Sequence, residues 1–237
     1  MNGSIAMASE FLDRFINHWK GSDRVDVGLF PPSVYVSHFE QSLRGSSIKV
    51  GGQNIATEME GAFTGEVSSQ MLSDLGCQMV LIGHSERRIN FLEDNDTIAA
   101  KYHVACAADL TPILCVGESL DHRNSGSTFD VISEQIYSVK NLVGENVLCA
   151  GVIAYEPVWA IGSGVAASPE QAQEVHSCIR DLLGPKGKQT QIIYGGSLNR
   201  DNARALFAER DIDGGLVGGA SLHAEHFLEI IRQAEDA

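Results

Sequence analysis

The chain has few of the features that mark membrane, secreted or nucleic-acid-binding proteins. No apolar run is long enough to span a membrane, and Met1-Asn2-Gly3-Ser4 lacks the basic and apolar regions of a signal peptide. Only 17 Lys and Arg oppose 31 Asp and Glu, and the resulting net charge of −14 repels nucleic acid, anionic lipid and anionic metabolites. We therefore expect a cytoplasmic protein that holds any anionic ligand through local groups.

Cysteine chemistry is also sparse. The five cysteines are scattered, odd in number and form no Cys-x-x-Cys pair, which argues against a disulfide framework and against a zinc site. We expect reduced and mostly buried thiols. A chain of 237 residues with 43% hydrophobic content can bury a substantial core, so we predict a single domain over 1–237.

Hydrophobic periodicity predicts one leading helix and then seven strand-helix units. The helix has apolar residues at helical spacing from Ala8 to Trp19. Strict alternation with continuous apolar strands indicates a parallel sheet covered by helices, either an open doubly wound sheet or a closed barrel. The predicted strands lie near 25–30, 48–54, 78–82, 111–116, 147–155, 190–194 and 214–217.

The leading helix decides between these architectures. In a (β/α)8 barrel that helix should follow a strand. We therefore interpret the chain as an α/β protein, a (β/α)8 barrel lacking its first β-strand, with seven parallel strands. The connection from Asn54 to Glu66 is longer than ordinary loops of this class, so we expect it to be functional or to form an interface.

Glu156 is the strongest candidate for a catalytic base. It follows the apolar run Val152 to Tyr155, so it should stand at the mouth of the sheet, where burial raises the pKa of a carboxyl. The alternative is a structural Glu paired with a cation. Cys115 also ends a strand, and here a buried structural thiol is the better interpretation because nothing nearby would lower its pKa.

His84 ends another predicted strand, in the segment Gly-His-Ser-Glu-Arg-Arg at 83–88. A helix start just beyond it disfavours imidazolium and leaves a neutral ring that can polarise a carbonyl. Taken alone, such a histidine would more often be structural. Because Glu156 stands at another strand end, we favour a catalytic pair.

Glycine-rich turns follow the last two predicted strands. Gly195-Gly196-Ser197 and Gly218-Gly219 could close backbone N–H groups on an anion, and barrels frequently bind phosphate at these strand ends. The alternative is a pair of tight turns. Gly162-Ser163-Gly164 could add a further arm over the mouth.

These segments resemble the triosephosphate isomerase family over nearly the whole chain. The matching stretches are Gly-His-Ser-Glu-Arg-Arg at 83–88, Tyr-Glu-Pro-Val-Trp-Ala-Ile-Gly-Ser-Gly at 155–164, Tyr-Gly-Gly-Ser at 194–197 and Leu-Val-Gly-Gly-Ala-Ser-Leu at 216–222. The resemblance implies a TIM barrel enzyme of glycolysis and gluconeogenesis that interconverts dihydroxyacetone phosphate and D-glyceraldehyde 3-phosphate, without a metal or cofactor.

The resemblance also assigns the site. It makes Glu156 the base and His84 the electrophile, with Ser85 and Glu86 beside them. It implies that phosphate meets Gly162, Ser197, Gly218 and Gly219. It implies a lid within 157–167 that includes Pro157, Val158, Trp159, Ala160, Ile161, Gly162, Ser163 and Gly164. It implies a homodimer in which Phe63, Thr64, Gly65 and Glu66 reach into the second subunit.

One departure from the family concerns its first strand. Members begin with a strand ending in Asn-x-Lys, whereas Met1 to Ser4 resembles the residues that come after that pair, so we expect the catalytic lysine to lie before residue 1. Asn17-His18-Trp19-Lys20 closes the first helix and is not that motif. We therefore expect impaired activity, an unpartnered Glu86 and a weakened dimer. The alternative function is a non-catalytic phosphate-binding or scaffold protein derived from the same barrel.

Overall fold

A computed structural model describes residues 1–161 and 166–237. The described residues form six strands: β1 Gly28–Leu29, β2 Lys49–Gly52, β3 Met79–Ile82, β4 Thr111–Val116, β5 Val152–Tyr155 and β6 Gln191–Tyr194. All neighbours are parallel, and the order in the sheet is the order in the chain. This topology is the one that a singly wound α/β barrel requires.

Helices connect and cover these strands. Their bounds are α1 Ile5–His18, α2 Val36–Leu43, α3 Ser69–Asp74, α4 Ser85–Asn90, α5 Asn95–Ala107, α6 Leu120–Asn124, α7 Thr128–Val143, α8 Glu145–Ala150, α9 Pro169–Leu183, α10 Ala203–Phe207 and α11 Ala224–Glu235. Short 3₁₀ turns cover Ser33–Tyr35, Val158–Ala160, Gly184–Gln189 and Gly219–Leu222.

The structure confirms the leading helix and refines the predicted strands. In the predicted strand 147–155, Val147 to Ala150 belong to α8, and only Val152 to Tyr155 pair in the sheet. The predicted seventh strand, 214–217, is reduced to an isolated parallel bridge between Gly215 and Tyr194. Two consecutive glycines at 214–215 offer no side chains to pack on the sheet, which weakens a strand there. The described residues therefore form six strands rather than the seven predicted.

Both faces of the sheet are buried. Leu81, Ile113 and Cys115 belong to a small apolar cluster on one face, while alternate residues such as Ile82 and Leu114 pack in the large cluster beneath the helices. Strands that are buried on both faces have continuous apolar sequences, and the strands of this chain do. The small cluster is the interior of the curved sheet.

Helix α1 packs between α2 and α11. Phe11 lies 6.2 Å from Phe39 of α2, and Phe15 lies 5.8 Å from Phe227 of α11, measured between ring centroids. Within the described residues, no strand pairs with the outer edge of β1, so the sheet does not close there.

The start of α9 follows the pattern that the sequence predicts. Ser168 accepts a hydrogen bond from the Gln171 N–H, the Gln171 side chain accepts one from the Ser168 N–H, and Pro169 begins the helix. This capping box satisfies two N–H groups that the first turn leaves unpaired. It places α9 behind β5 and β6, where His176 packs against Tyr155 and Tyr194.

His176 makes the stability of this fold depend on pH. The imidazole is fully buried, its Nδ1 lies 3.1 Å from the Asp211 carbonyl oxygen, and its Nε2 has no partner among the described residues. Burial lowers the pKa of His176 to about 4. In the unfolded chain its pKa is about 6.5.

We expect the free energy of unfolding to fall as the pH drops from about 6.5 to about 4, because the unfolded chain takes up the proton first. The contribution of His176 is fully present above the unfolded pKa, and its size is about 3 kcal/mol. Urea titrations at several pH values measure it. The His176→Gln variant lacks this titration and should show a shallower slope over the same range; an unchanged slope would assign the pH dependence to other groups.

Candidate active site

The carboxylate of Glu156 lies at the carboxyl end of the sheet, directly after β5. Its N–H donates to the Val116 carbonyl at 2.7 Å, so the pairing between β4 and β5 continues through the residue itself. A Cβ built on Gly195 would stand 2.9 Å from the Glu156 Cγ, which explains why the neighbouring strand carries glycine at this height. The side chain is thus held in a narrow space between three strand ends.

Burial determines the electrostatics of Glu156. The residue is 1% exposed, and this desolvation raises the pKa of its carboxyl, while the His84 ring and the Ser85 N–H act in the opposite direction. Oε2 accepts a hydrogen bond from the Ser85 N–H at 2.8 Å. Oε1 has no hydrogen-bond partner among the described residues. A buried oxygen with a raised pKa and a free lone pair is suited to accept a proton.

His84 stands beside this carboxylate. Gly83, with φ of 72°, turns the chain out of β3 in a conformation that favours glycine, and His84 then caps α4. Its Nε2 lies 3.1 Å from Glu156 Oε1, although the ring N–H does not point at that oxygen. The structure therefore brings together the two residues that the sequence proposed as a pair.

The tautomer of His84 follows from its second nitrogen. Nδ1 accepts the Glu86 N–H at 3.3 Å, which assigns the ring proton to Nε2. Of the N–H groups at the start of α4, that of Glu86 points at this ring, whereas that of Ser85 points at the Glu156 carboxylate. Nε2–H remains available to donate to an oxygen in the pocket.

Ser85 and Glu86 have different surroundings. Ser85 is buried and contacts the base through its backbone N–H. Glu86 is exposed, and its carboxylate makes no ion pair within the described parts of the chain. Glu86 thus touches the pair only through its N–H bond to His84.

The segment after Glu156 is tied to Glu118. The Oε1 of Glu118, a fully buried residue, accepts hydrogen bonds from the Tyr155 hydroxyl at 3.1 Å and from the Trp159 indole N–H at 2.9 Å. The guanidinium of Arg123 lies 3.2 Å from the same oxygen and 5.0 Å from the centroid of the Trp159 ring. One carboxylate therefore holds the residues on both sides of the base.

The lid residues predicted from the sequence fall partly in this segment. Pro157 to Ile161 are described, with a 3₁₀ turn at Val158–Ala160, whereas Gly162, Ser163 and Gly164 lie outside the described residues. The hydroxyl of Ser197 donates to the Ala160 carbonyl oxygen. The loop after β6 is thus joined to the segment that follows the base.

The remaining candidates for phosphate binding among the described residues make no contact with Glu156 or His84. Gly218 and Gly219 are exposed, and a Cβ at either position would meet nothing within 4 Å. Their backbone N–H groups open a short 3₁₀ turn at Gly219–Leu222. No group of three or more metal-binding side chains occurs in the parts of the chain that the structure describes.

Cys115 is a buried structural thiol, as the sequence analysis favoured. The thiol is fully buried in the interior of the sheet, and burial with the nearby Glu156 carboxylate raises its pKa well above the usual value. A thiolate is therefore disfavoured, and a nucleophilic role with it. Arg88 donates to the Cys115 carbonyl oxygen at 2.9 Å, so this cation is engaged with backbone near the base.

Sequence patterns assigned no role to Glu118, Arg123 or Gln135, which support the site from outside. Glu118 and Arg123 follow β4, and Gln135 lies on α7. The one signal in the sequence was the position of Glu118, three residues after the strand-ending Cys115. A buried acid at a strand end would have been a fair candidate for a second carboxylate.

A buried carboxylate beside an imidazole, at the carboxyl ends of parallel strands, is the arrangement of an acid-base enzyme of the α/β barrel class. Within the described residues, no helix combines the length and the apolar composition needed to cross a membrane. The model of the family described as triosephosphate isomerase matches residues 1–234.

Curated relatives agree with this match. The triosephosphate isomerase of Nitrosomonas europaea is 46% identical over 240 residues, covering 100% of this chain and 95% of the relative. That of Legionella pneumophila is 46% identical over 237 residues, covering 98% and 94%. That of Pseudomonas fluorescens is 44% identical over 239 residues, covering 99% and 95%. The chain belongs to the triosephosphate isomerase family, whose named members are isomerases.

Proposed function

We propose that this chain interconverts dihydroxyacetone phosphate and D-glyceraldehyde 3-phosphate, with Glu156 as the base and His84 as the electrophile. One observation supports this more than any other: the Oε1 of a buried Glu156, which has no hydrogen-bond partner among the described residues, lies 3.1 Å from the Nε2 of His84. A base and a hydrogen-bond donor at this separation can act on adjacent carbon and oxygen atoms of one small substrate.

The chemistry moves one proton between two carbons. Glu156 removes a proton from C1 of the ketose, and the electrons of that bond shift to the C2 carbonyl oxygen, giving an enediolate. The Nε2–H of His84 stabilises the oxygens on C1 and C2. The proton of the C1 hydroxyl then passes to the oxygen on C2. Glu156 then returns its proton to C2, and C1 becomes the aldehyde.

The phosphate of the substrate would meet backbone N–H groups rather than cationic side chains. The candidates are Ser197, Gly218, Gly219 and Gly162, the last outside the described residues. Backbone N–H groups are suited to a dianion because they attract it without depending on a chain whose net charge is −14. The segment 157–164 would close over this pocket as a lid.

Replacement of Glu156 by Gln should abolish isomerisation, because the amide keeps the shape of the side chain but cannot accept the carbon-bound proton. A coupled assay from dihydroxyacetone phosphate to the aldehyde measures the loss, which we expect to exceed 10³-fold, on the order of general base catalysis. The Glu170→Gln variant, on the exposed first turn of α9, is the control. A rate unaffected by Glu156→Gln would favour the phosphate-binding or scaffold alternative, or a contaminant.

The lysine side chains lie away from the proposed pair. The six lysines are Lys20, Lys49, Lys101, Lys140, Lys186 and Lys188, and the sequence contains no Asn-x-Lys pair. Lys101, the most buried of them, binds Glu93 at 2.5 Å and Asn54 at 2.8 Å. No lysine contacts Glu156, His84 or Glu86 in the described residues, so the charge of the substrate has no ammonium partner beside the pair.

The same family assignment supports a homodimer formed through the 54–66 loop. Phe63, Thr64, Gly65 and Glu66 are exposed on this loop, and Phe63 is 47% exposed although it is a large apolar residue. The loop has no strand or helix of its own between β2 and α3. Such an arm gains apolar contacts by inserting into a second copy.

We expect a homodimer that buries Phe63 against the second copy, because the side chain of this large apolar residue is exposed in the single chain. Sedimentation velocity over a dilution series measures the equilibrium between monomer and dimer. Phe63→Asp should shift it to monomer, whereas Val34→Asp, at an exposed apolar residue outside the loop, should not. A dimer that is equally stable in Phe63→Asp would show that this loop does not form the interface.

A further inference from the structure

The side chain of Gln135 forms two hydrogen bonds with one backbone unit beside the base. Its Oε1 accepts the Gly117 N–H at 2.8 Å, and its Nε2 donates to the Gly117 carbonyl oxygen at 3.1 Å. Gln135 is 8% exposed and projects from α7. The two groups belong to the peptide bonds before and after Gly117, so this contact fixes the orientation of both.

Gly117 needs such a partner because it lies beyond the end of β4. The Val116 carbonyl accepts the Glu156 N–H at 2.7 Å, and the Glu118 carbonyl accepts the Val158 N–H at 3.1 Å. In a parallel ladder, alternate residues face opposite neighbours, so the N–H and C=O of Gly117 point away from β5. Gln135 supplies both partners that a further strand would have supplied.

The same glycine stands directly against the base. A Cβ built on Gly117 would lie 1.8 Å from the Glu156 carbonyl oxygen, closer than real Cβ contacts allow. The backbones of Gly117 and Glu156 are therefore in van der Waals contact, and any rotation of the Gly117 peptide displaces that of Glu156. The next residue, Glu118, holds Tyr155 and Trp159 on either side of the base.

We propose that Gln135 is a positioning residue for the reaction: by holding the Gly117 peptide it sets the distance between the carboxylate of Glu156 and the ring of His84. This inference rests on the proposed isomerase function. Gln135 does not touch Glu156 itself and acts only through the Gly117 backbone. Its contribution should therefore appear in kcat more than in KM, because phosphate contacts lie on other loops.

The test compares Gln135→Met with Val139→Ala. Methionine keeps the length of the side chain and removes both hydrogen bonds, while Val139 is a fully buried apolar residue one turn later on α7. We expect Gln135→Met to lower kcat about 10 to 100-fold with KM within about two-fold, since small misplacements of a base carry costs of this size. We expect Val139→Ala to lose stability but to keep kcat close to that of the unsubstituted chain.

A titration of the Glu156 carboxyl tests the same proposal without turnover. With ¹³C-labelled glutamate, the Glu156 signal is assigned by its absence in Glu156→Gln, and we expect its midpoint to shift to lower pH in Gln135→Met as the carboxylate becomes more solvated. Gln135→Leu, which also lacks both hydrogen bonds and carries no charge, provides a second variant if Gln135→Met does not fold. It should show a shift in the same direction.

The outcomes separate the two proposals. If the unsubstituted chain shows no turnover, the isomerase function fails, while the carboxyl titration still tests the role of Gln135. If Gln135→Met matches Val139→Ala in kcat and leaves the Glu156 midpoint unchanged, Gln135 serves only the stability of the fold and our inference is overturned.

Discussion

The burial of one carboxylate is the constraint on which the rest of the site depends. Glu156 sits 1% exposed at the end of β5 with one oxygen bonded to the Ser85 N–H and the other unpartnered among the described residues. Keeping a buried carboxyl ionised costs free energy when one of its oxygens has no partner. The surrounding residues must therefore fix its position. The glycines at 117 and 195, the capped helix α4 and the Glu118 contacts all serve that requirement.

The site is assembled from strand ends that β4 separates. β3 delivers His84, β5 delivers Glu156, and the continuation of β4 runs between them as Gly117 and Glu118. Because parallel strands in register end at the same rim, residues 72 positions apart in the chain come within 3.1 Å of one another. The helices contribute indirectly, through the N-terminus of α4 and the side chain of Gln135 on α7.

Several features were predictable because they depend on local patterns. The apolar runs at 78–82 and 111–116 correspond closely to β3 and β4. The segment Ser168-Pro169-Glu170-Gln171 forms the capping box that its sequence predicts. The strand predicted at 147–155 began too early, since apolar residues in α8 cannot be told from a strand by periodicity alone. The strand predicted at 214–217 is only an isolated bridge, because two of its four residues are glycines and only two are apolar.

The sequence by itself determined the α/β alternation, the strand-end positions of Glu156 and His84, and the family to which the chain belongs. It did so because hydrophobic period and short motifs are properties of neighbouring residues. Only the tertiary structure decided which nitrogen of His84 accepts a hydrogen bond, which oxygen of Glu156 has no partner among the described residues, and how Glu118 and Gln135 contact the site. Those depend on which backbone groups meet across strands, and residues as far apart as Gly117 and Gln135, or Ser85 and Glu156, carry no local sign that they will touch.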